Sequence, residues 1–203
     1  VAIVDRGVAG SDRAFLRALA TLWPHLPADG TVLVQLRAKQ VRGRARRILL
    51  EQARRLTAAR PVPVLLNGPA DEALRYGFDG AHLPEALRPE VPPDPRPKRL
   101  TAAVHDAEGA STVAALGVDA ALFAPVFAPS SKPGRGAGLD ALRAVCDASP
   151  VPVLALGGLR PGRVRPCLDA GAAGVAVLSA MSRGEVPTLK ALLATLDEGQ
   201  PRA

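Results

Sequence analysis

The chain's 203 residues are 48% hydrophobic, enough apolar side chain to fill a core, which excludes a wholly disordered protein. Its 19 glycines and 20 prolines fall between apolar runs with no three-residue period, so collagen, long coiled coil and mucin-like stalk are excluded as well. A formal charge of +7 favours encounters with phosphorylated ligands, while 3% aromatic content is too little for a stacking platform on single-stranded nucleic acid.

Apolar runs of strand length recur along the chain with helical or turn-rich stretches between them. Residues 1–4 form the first predicted strand, followed by a polar turn and a helix over 12–23. The second strand spans 31–36. After it, Val41, Ala45, Ile48, Leu49, Ala53 and Leu56 recur at helical spacing and leave Arg42, Arg46, Arg47, Arg54 and Arg55 toward water. Strand three covers 62–66 and is followed by a short helix over 70–76; strand four covers 79–83. The proline-rich stretch 84–97 leaves no room for a full helix. Strand five at 100–104 leads into a helix at 107–116, and strand six at 120–123 into a long loop, 124–138, and a helix at 139–148. Strands seven and eight, 151–156 and 175–178, are followed by helices at 164–170 and 187–196.

Near-continuous apolar strands at 62–66, 151–156 and 175–178 are what a parallel sheet covered on both faces requires. Eight strand-helix units with one crossover each predict a (βα)8 barrel, an eight-stranded parallel sheet in one domain over 1–203. An open doubly wound sheet is the alternative. The first turn, Asp5-Arg6-Gly7-Val8-Ala9-Gly10, does not carry the glycine spacing that such a sheet uses to seat a pyrophosphate. Cys146 and Cys167 are too few for a disulfide scaffold and read as buried thiols. With no apolar run of 18 residues and no signal-like core, the expectation is a cytoplasmic protein with no membrane partner. The chain opens on Val1 without Met, so a short N-terminal piece is expected to precede it.

Chemistry in a (βα)8 barrel belongs at the C-terminal ends of the strands. Those ends read Gln35-Leu36-Arg37-Ala38-Lys39, Asn67, His82, His105, Gly157-Gly158 and Ser179-Ala180, with Lys132 in the long loop. Arg37 and Lys39 alternate with Ala38, so both can face the barrel mouth, one with a forked donor set and one with a compact charge. Lys132 is either a ligand-covering cation or part of a solvated basic loop. Gly158, Ser179 and Ala180 lie on adjacent loops whose backbone N–H groups can cradle a phosphate; close strand-helix packing is the other reason for a glycine pair there. His105 can exchange protons near neutral pH or serve as a structural hydrogen-bonding group. The three histidines and dispersed acids make no zinc spacing and no Ser-His-Asp set, so no metal ligand is assigned.

The segments Gln35-Leu36-Arg37-Ala38-Lys39, Asn67, Asp79-Gly80-Ala81-His82-Leu83, His105, Pro125-Val126-Phe127 and Ser131-Lys132-Pro133 together resemble the thiamine-phosphate synthase and thiazole tautomerase superfamily. Pro152-Val153-Leu154-Ala155-Leu156-Gly157-Gly158 and the run from Ala170 to Ala180 extend the resemblance to roughly residues 1–196. It implies a barrel that binds thiazole phosphate. Synthase members join a pyrimidine diphosphate to it with Mg2+ and release pyrophosphate; tautomerase members move a proton within a carboxythiazole phosphate and need no metal. By resemblance, Gln35 matches a pyrimidine contact, and Arg37, Lys39, Asn67 and Lys132 match diphosphate contacts. Gly158, Ser179 and Ala180 match the thiazole-phosphate site of either activity. A homodimer is an open option.

The departures are specific. Synthases carry Asn-Asp where this chain has Asn67-Gly68, and a second acid where this chain has Leu87; Ala103 replaces a serine. Gly and Leu side chains offer Mg2+ no oxygen. His105, by contrast, matches the residue proposed to relay the proton in tautomerases. The expectation is therefore a thiazole tautomerase-like isomerase with His105 as the catalytic residue and no cofactor. The alternatives are a Mg2+-using thiamine-phosphate synthase and a non-catalytic phosphate-binding relative.

Overall fold

The computed structural model describes residues 1–88, 94–128 and 135–197. Eight parallel strands stand in chain order: β1 Ala2–Asp5, β2 Val34–Arg37, β3 Val64–Asn67, β4 Gly80–Leu83, β5 Arg99–Val104, β6 Ala120–Phe123, β7 Val153–Leu156 and β8 Gly174–Ala176. The sheet closes on itself. Ala2 bridges Val177 in parallel, with Ile3 N–H donating to Val177 O at 2.8 Å and Val177 N–H to Val1 O at 2.9 Å. This is the predicted (βα)8 barrel, and the first strand pairs with both the second and the last.

Helices α1 Arg6–Ala9 and α2 Asp12–Leu22 follow β1, α3 Gly43–Thr57 follows β2, and α4 Ala70–Arg75 follows β3. Next come α5 Ala107–Thr112, α6 Gly138–Ala148, α7 Pro161–Asp169, α8 Ser179–Ser182 and α9 Val186–Asp197. Local chemistry sets their starts: Ser11 Oγ accepts from Ala14 N–H at 3.1 Å, and Asp106 Oδ1 accepts from Gly109 N–H at 2.7 Å. After β4, the described residues of the proline-rich stretch include a tight turn, Glu85–Leu87.

Several strands begin later than the apolar runs suggest. The second starts at Val34 rather than 31 because Asp29 caps Thr31 in a turn, accepting its N–H at 2.9 Å. The third starts at Val64 because Pro61 and Pro63 have no N–H to give a ladder; Pro63 contributes its carbonyl to Val34 N–H at 2.9 Å. In α3, Leu49 and Ala53 are buried as the periodicity requires, whereas Ala45 and Ile48 are exposed and Leu50 is buried instead. Arg46 departs from that reading: it turns inward and grips Glu72 with two bonds, Nε to Oε1 at 2.6 Å and Nη2 to Oε2 at 2.7 Å.

Two apolar layers result. The larger lies between sheet and helices, with Phe15, Leu19 and Leu22 packed against outward strand residues such as Val4, Leu36 and Leu66. Each fully buried side chain of this size contributes about 1.5–3 kcal/mol. The smaller layer fills the barrel interior: Ile3, Leu122 and Ala176, flanked by Leu154, Leu156 and Leu178. Strand alternation then fixes what else points inward. Ile3 is in register with Gln35, Asp5 with Arg37, Asn67 with His82, and His82 with Thr101. The mouth on the β1–β5 side is therefore polar, and the interior on the β6–β8 side is apolar.

Candidate active site

On the polar side, the base of the site is a buried ion pair. Asp5, whose side chain is 2% exposed, accepts from Arg37 Nη1 through Oδ2 and from Val8 N–H through Oδ1 at 3.0 Å. Its own N–H donates to Ser182 Oγ at 2.9 Å, tying β1 to α8. A pair this buried holds Arg37 at one geometry, and removing either partner strands the other charge.

Beside it, Asn67 Nδ2 donates to Gln35 Oε1 at 3.1 Å. Gln35 Nε2 and Asn67 Oδ1 are buried with no hydrogen-bond partner. Native interiors rarely leave such atoms unmet, and here a free donor and a free acceptor belong to neighbouring side chains at the barrel mouth. His82 Nδ1 lies 3.0 Å from Thr101 Oγ1. Burial pushes its pKa down to about 3, and the charges of Lys39, Arg37 and Arg88 push the same way, so the ring is neutral near pH 7.

His105 stands on the rim. Its Nδ1 is 2.9 Å from Ala124 O and its Nε2 is 3.4 Å from Glu85 Oε2, with both side chains at least half exposed. Lys132 lies outside the described residues.

On the other side, β7 ends at Gly157 and Gly158, with φ of 108° and 61°. A Cβ on Gly158 would fall 2.7 Å from Ala128 O and 2.8 Å from Phe127 Cβ, so the position needs glycine for both conformation and space. Arg163 clips this loop. Its Nη1 donates to Gly158 O at 2.7 Å while its guanidinium lies over the Phe127 ring at 4.6 Å. Gly158, Ser179 and Ala180 line one cavity of about 530 Å3 together with Arg160, Arg163 and Arg183. Gln35, Arg37, Lys39, Asn67 and His105 do not line it.

The residues present do not fit a Mg2+ ion, which needs several oxygen ligands in octahedral array. Glu72, whose Oε2 is 3.2 Å from where a Gly68 Cβ would stand, is taken up by Arg46. Asp71 faces Arg75 at 3.5 Å in solvent, and Glu85 faces His105. Leu87 is 48% exposed. Among the described residues, no three His, Cys, Asp or Glu side chains group closely enough to hold a metal.

Sequence reasoning overlooked three groups of this site. Asp5 was read as part of a turn, although a carboxylate directly after an apolar run is the same signal that singled out Asn67. Arg88 sits in the proline-rich stretch, where nothing local marks it. Arg163 follows the glycine pair by five residues and acts back on it.

The family model for thiamine monophosphate synthase matches residues 1–181. A putative thiamine-phosphate synthase of Geobacter sulfurreducens is 36% identical, covering 96% of this chain and 92% of its own. The thiamine-phosphate synthase of Koribacter versatilis is 37% identical over 88% of this chain and 86% of its own. Among solved structures, thiamine phosphate pyrophosphorylase from Pyrococcus furiosus superposes with a TM-score of 0.76 at 24% identity, covering 97% of this chain and 94% of that one, which speaks to the fold. No helix among the described residues is long and apolar enough to cross a membrane.

These relatives overturn the expectation of a thiazole tautomerase. Gly68 and Leu87 report on how a cation is held, and they do not identify the reaction. The inference from lost carboxylates to proton transfer fails for that reason, and the carboxythiazole substrate falls with it. The chain belongs to the thiamine monophosphate synthase family.

Proposed function

We propose that the protein joins a pyrimidine diphosphate to a thiazole phosphate and releases pyrophosphate. The observation that carries this reading is that the same barrel end gathers cationic side chains around His82 and, apart from them, a cavity lined by Gly158, Ser179 and Ala180. A reaction between two phosphorylated partners needs both. The synthase names of the curated relatives, 31–37% identical, supply the reaction class.

In this reading Gln35 and Asn67 take the pyrimidine edge and the near end of its diphosphate, with Arg37 and Lys39 on the phosphate oxygens. Gly158, Ser179 and Ala180 hold the thiazole phosphate with backbone and hydroxyl donors. Lys132 completes the diphosphate contacts from the long loop. As the bond to the diphosphate breaks, negative charge grows on the departing oxygen, and Arg37, fixed by Asp5, stabilises it without having to reorganise. The apolar interior below excludes water from the forming bond.

The test is a coupling assay that follows thiamine phosphate and pyrophosphate together, with and without each substrate. Equal release of both products supports the reading. Binding of thiazole phosphate with no coupling at any pyrimidine diphosphate concentration overturns it in favour of a non-catalytic relative.

A further inference from the structure

We infer that the Arg88 guanidinium does here what a divalent cation would otherwise do: with Arg37 and Lys39 it forms a metal-free receptor for a diphosphate group at the ends of β2–β4. The inference rests on the coupling reading above for naming the anion as a diphosphate.

Arg88 is the oddest cation in the molecule. Its Nε and Nη2 are shielded from solvent and have no hydrogen-bond partner among the described residues. A guanidinium carries five N–H donors and cannot give up its proton, so leaving two of its nitrogens shielded and unpartnered on a half-buried side chain is costly. A chain keeps such a group where a ligand completes it. Arg88 follows the Glu85–Leu87 turn directly.

Its neighbours have the same sign. Arg88, Arg37 and Lys39 all lie within electrostatic reach of the His82 ring at the end of β4. Asp5, paired with Arg37, supplies one negative charge at this cluster. A diphosphate has the charge and the oxygen count to bridge cations set around one neutral imidazole.

The nearby carboxylates agree. A metal ion in this corner would need Glu72, Asp71 or Glu85, and each already faces a cationic or ring partner. Arg46 Nη2 lies 3.5 Å from the place a Gly68 side chain would begin. A corner with arginines beside both altered positions, 68 and 87, is charged to receive an anion directly.

The experiment uses the full chain, saturated with thiazole phosphate so that the glycine-lined cavity is filled, and titrates it calorimetrically with inorganic pyrophosphate in EDTA and again in excess Mg2+. The expected result is binding in EDTA within about threefold of that in Mg2+, and a loss of about tenfold or more in Arg88→Gln, the size of one charge-assisted bond. Arg88→Lys, which keeps the charge and loses the fork, should forfeit less. Thiazole-phosphate affinity, measured on the same preparations, should stay at the wild-type value, and thermal unfolding should come at or above the wild-type temperature because an unpartnered guanidinium is removed, which together exclude a folding defect. Pyrophosphate binding that requires Mg2+, or that survives unchanged in a folded Arg88→Gln protein, overturns the inference. The coupling assay separates the two claims. Coupling that needs Mg2+, with no pyrophosphate binding in EDTA, sinks the metal-free receptor and leaves the synthase reading standing. Arg88-dependent binding in EDTA without any coupling does the reverse.

Discussion

The two sides of the barrel mouth are built of different materials. The β2–β5 side uses charged and amide side chains that come from distant parts of the chain and depend on one another: Arg37 on Asp5, Asn67 on Gln35, His82 on Thr101. The β7–β8 side uses backbone, shaped by two glycines in left-handed conformation and clipped by Arg163. A side-chain receptor can be retuned one substitution at a time, and its charge balance is what departs from the resembled pattern at positions 68 and 87. A backbone receptor is set by geometry, tolerates few residues, and keeps the resembled sequence.

The comparison breaks most sharply at Asp5. Asp5→Ala removes the partner of a half-buried guanidinium, and a loss of about 3–5 kcal/mol in unfolding free energy is expected by urea titration, with coupling activity lost beyond that. Unaltered stability would mean that Arg37 is held by something else. Next in size is Gly158→Val. The new side chain meets Ala128 O and Phe127, and positive φ adds strain, so thiazole-phosphate affinity should fall about tenfold or more while pyrophosphate affinity on the other side stays within about twofold. Equal loss of both would show that the two sides are one site.

His82 gives a pH-dependent test confined to the side-chain half. Its folded pKa, about 3, lies below the ordinary histidine value, so between those pH values the unfolded chain binds the extra proton. Its contribution to stability is complete above pH ~6.5 and is lost as pH falls toward 3, at about 1.4 kcal/mol per pH unit. Denaturation midpoints across that range should show a shallower acid slope in His82→Gln than in the wild type. The smallest effect belongs to His105. On the rim, with Nδ1 against Ala124 O, His105→Gln should leave pyrophosphate release within about threefold of wild type. A loss of two orders of magnitude would return it to the chemistry.

The barrel was legible because its outward strand residues, such as Val4, Leu36 and Leu66, are apolar and its spacing repeats eight times. Strand starts were less so, since an apolar run does not reveal that Pro61 and Pro63 delay the ladder. Positions at strand ends, Gln35, Arg37, Asn67 and Gly158, could be picked out because polarity or glycine interrupts an apolar run. Their partners could not. The Arg37 link to Asp5 spans 32 residues, and the Arg46 link to Glu72 spans 26. Local periodicity assigned Arg46 to water because a helical wheel does not know what stands across from it.

The Ser182 hydroxyl sits where the beginning and the end of the chain meet. Its oxygen accepts the Asp5 N–H across 177 residues and donates to Leu178 O at 2.7 Å, beside the backbone bonds that join Val177 to Val1 and Ile3. Asp5 in turn orients Arg37. The Asp5–Arg37 pair is thus tied to a residue 177 positions away, so the tie closes a very long loop. The seam between β1 and β8 and the tie to Asp5 both involve the segment that runs from β8 into α8. A chain ending before Ser182 would carry Asp5 and Arg37 without the hydroxyl that ties β1 to α8.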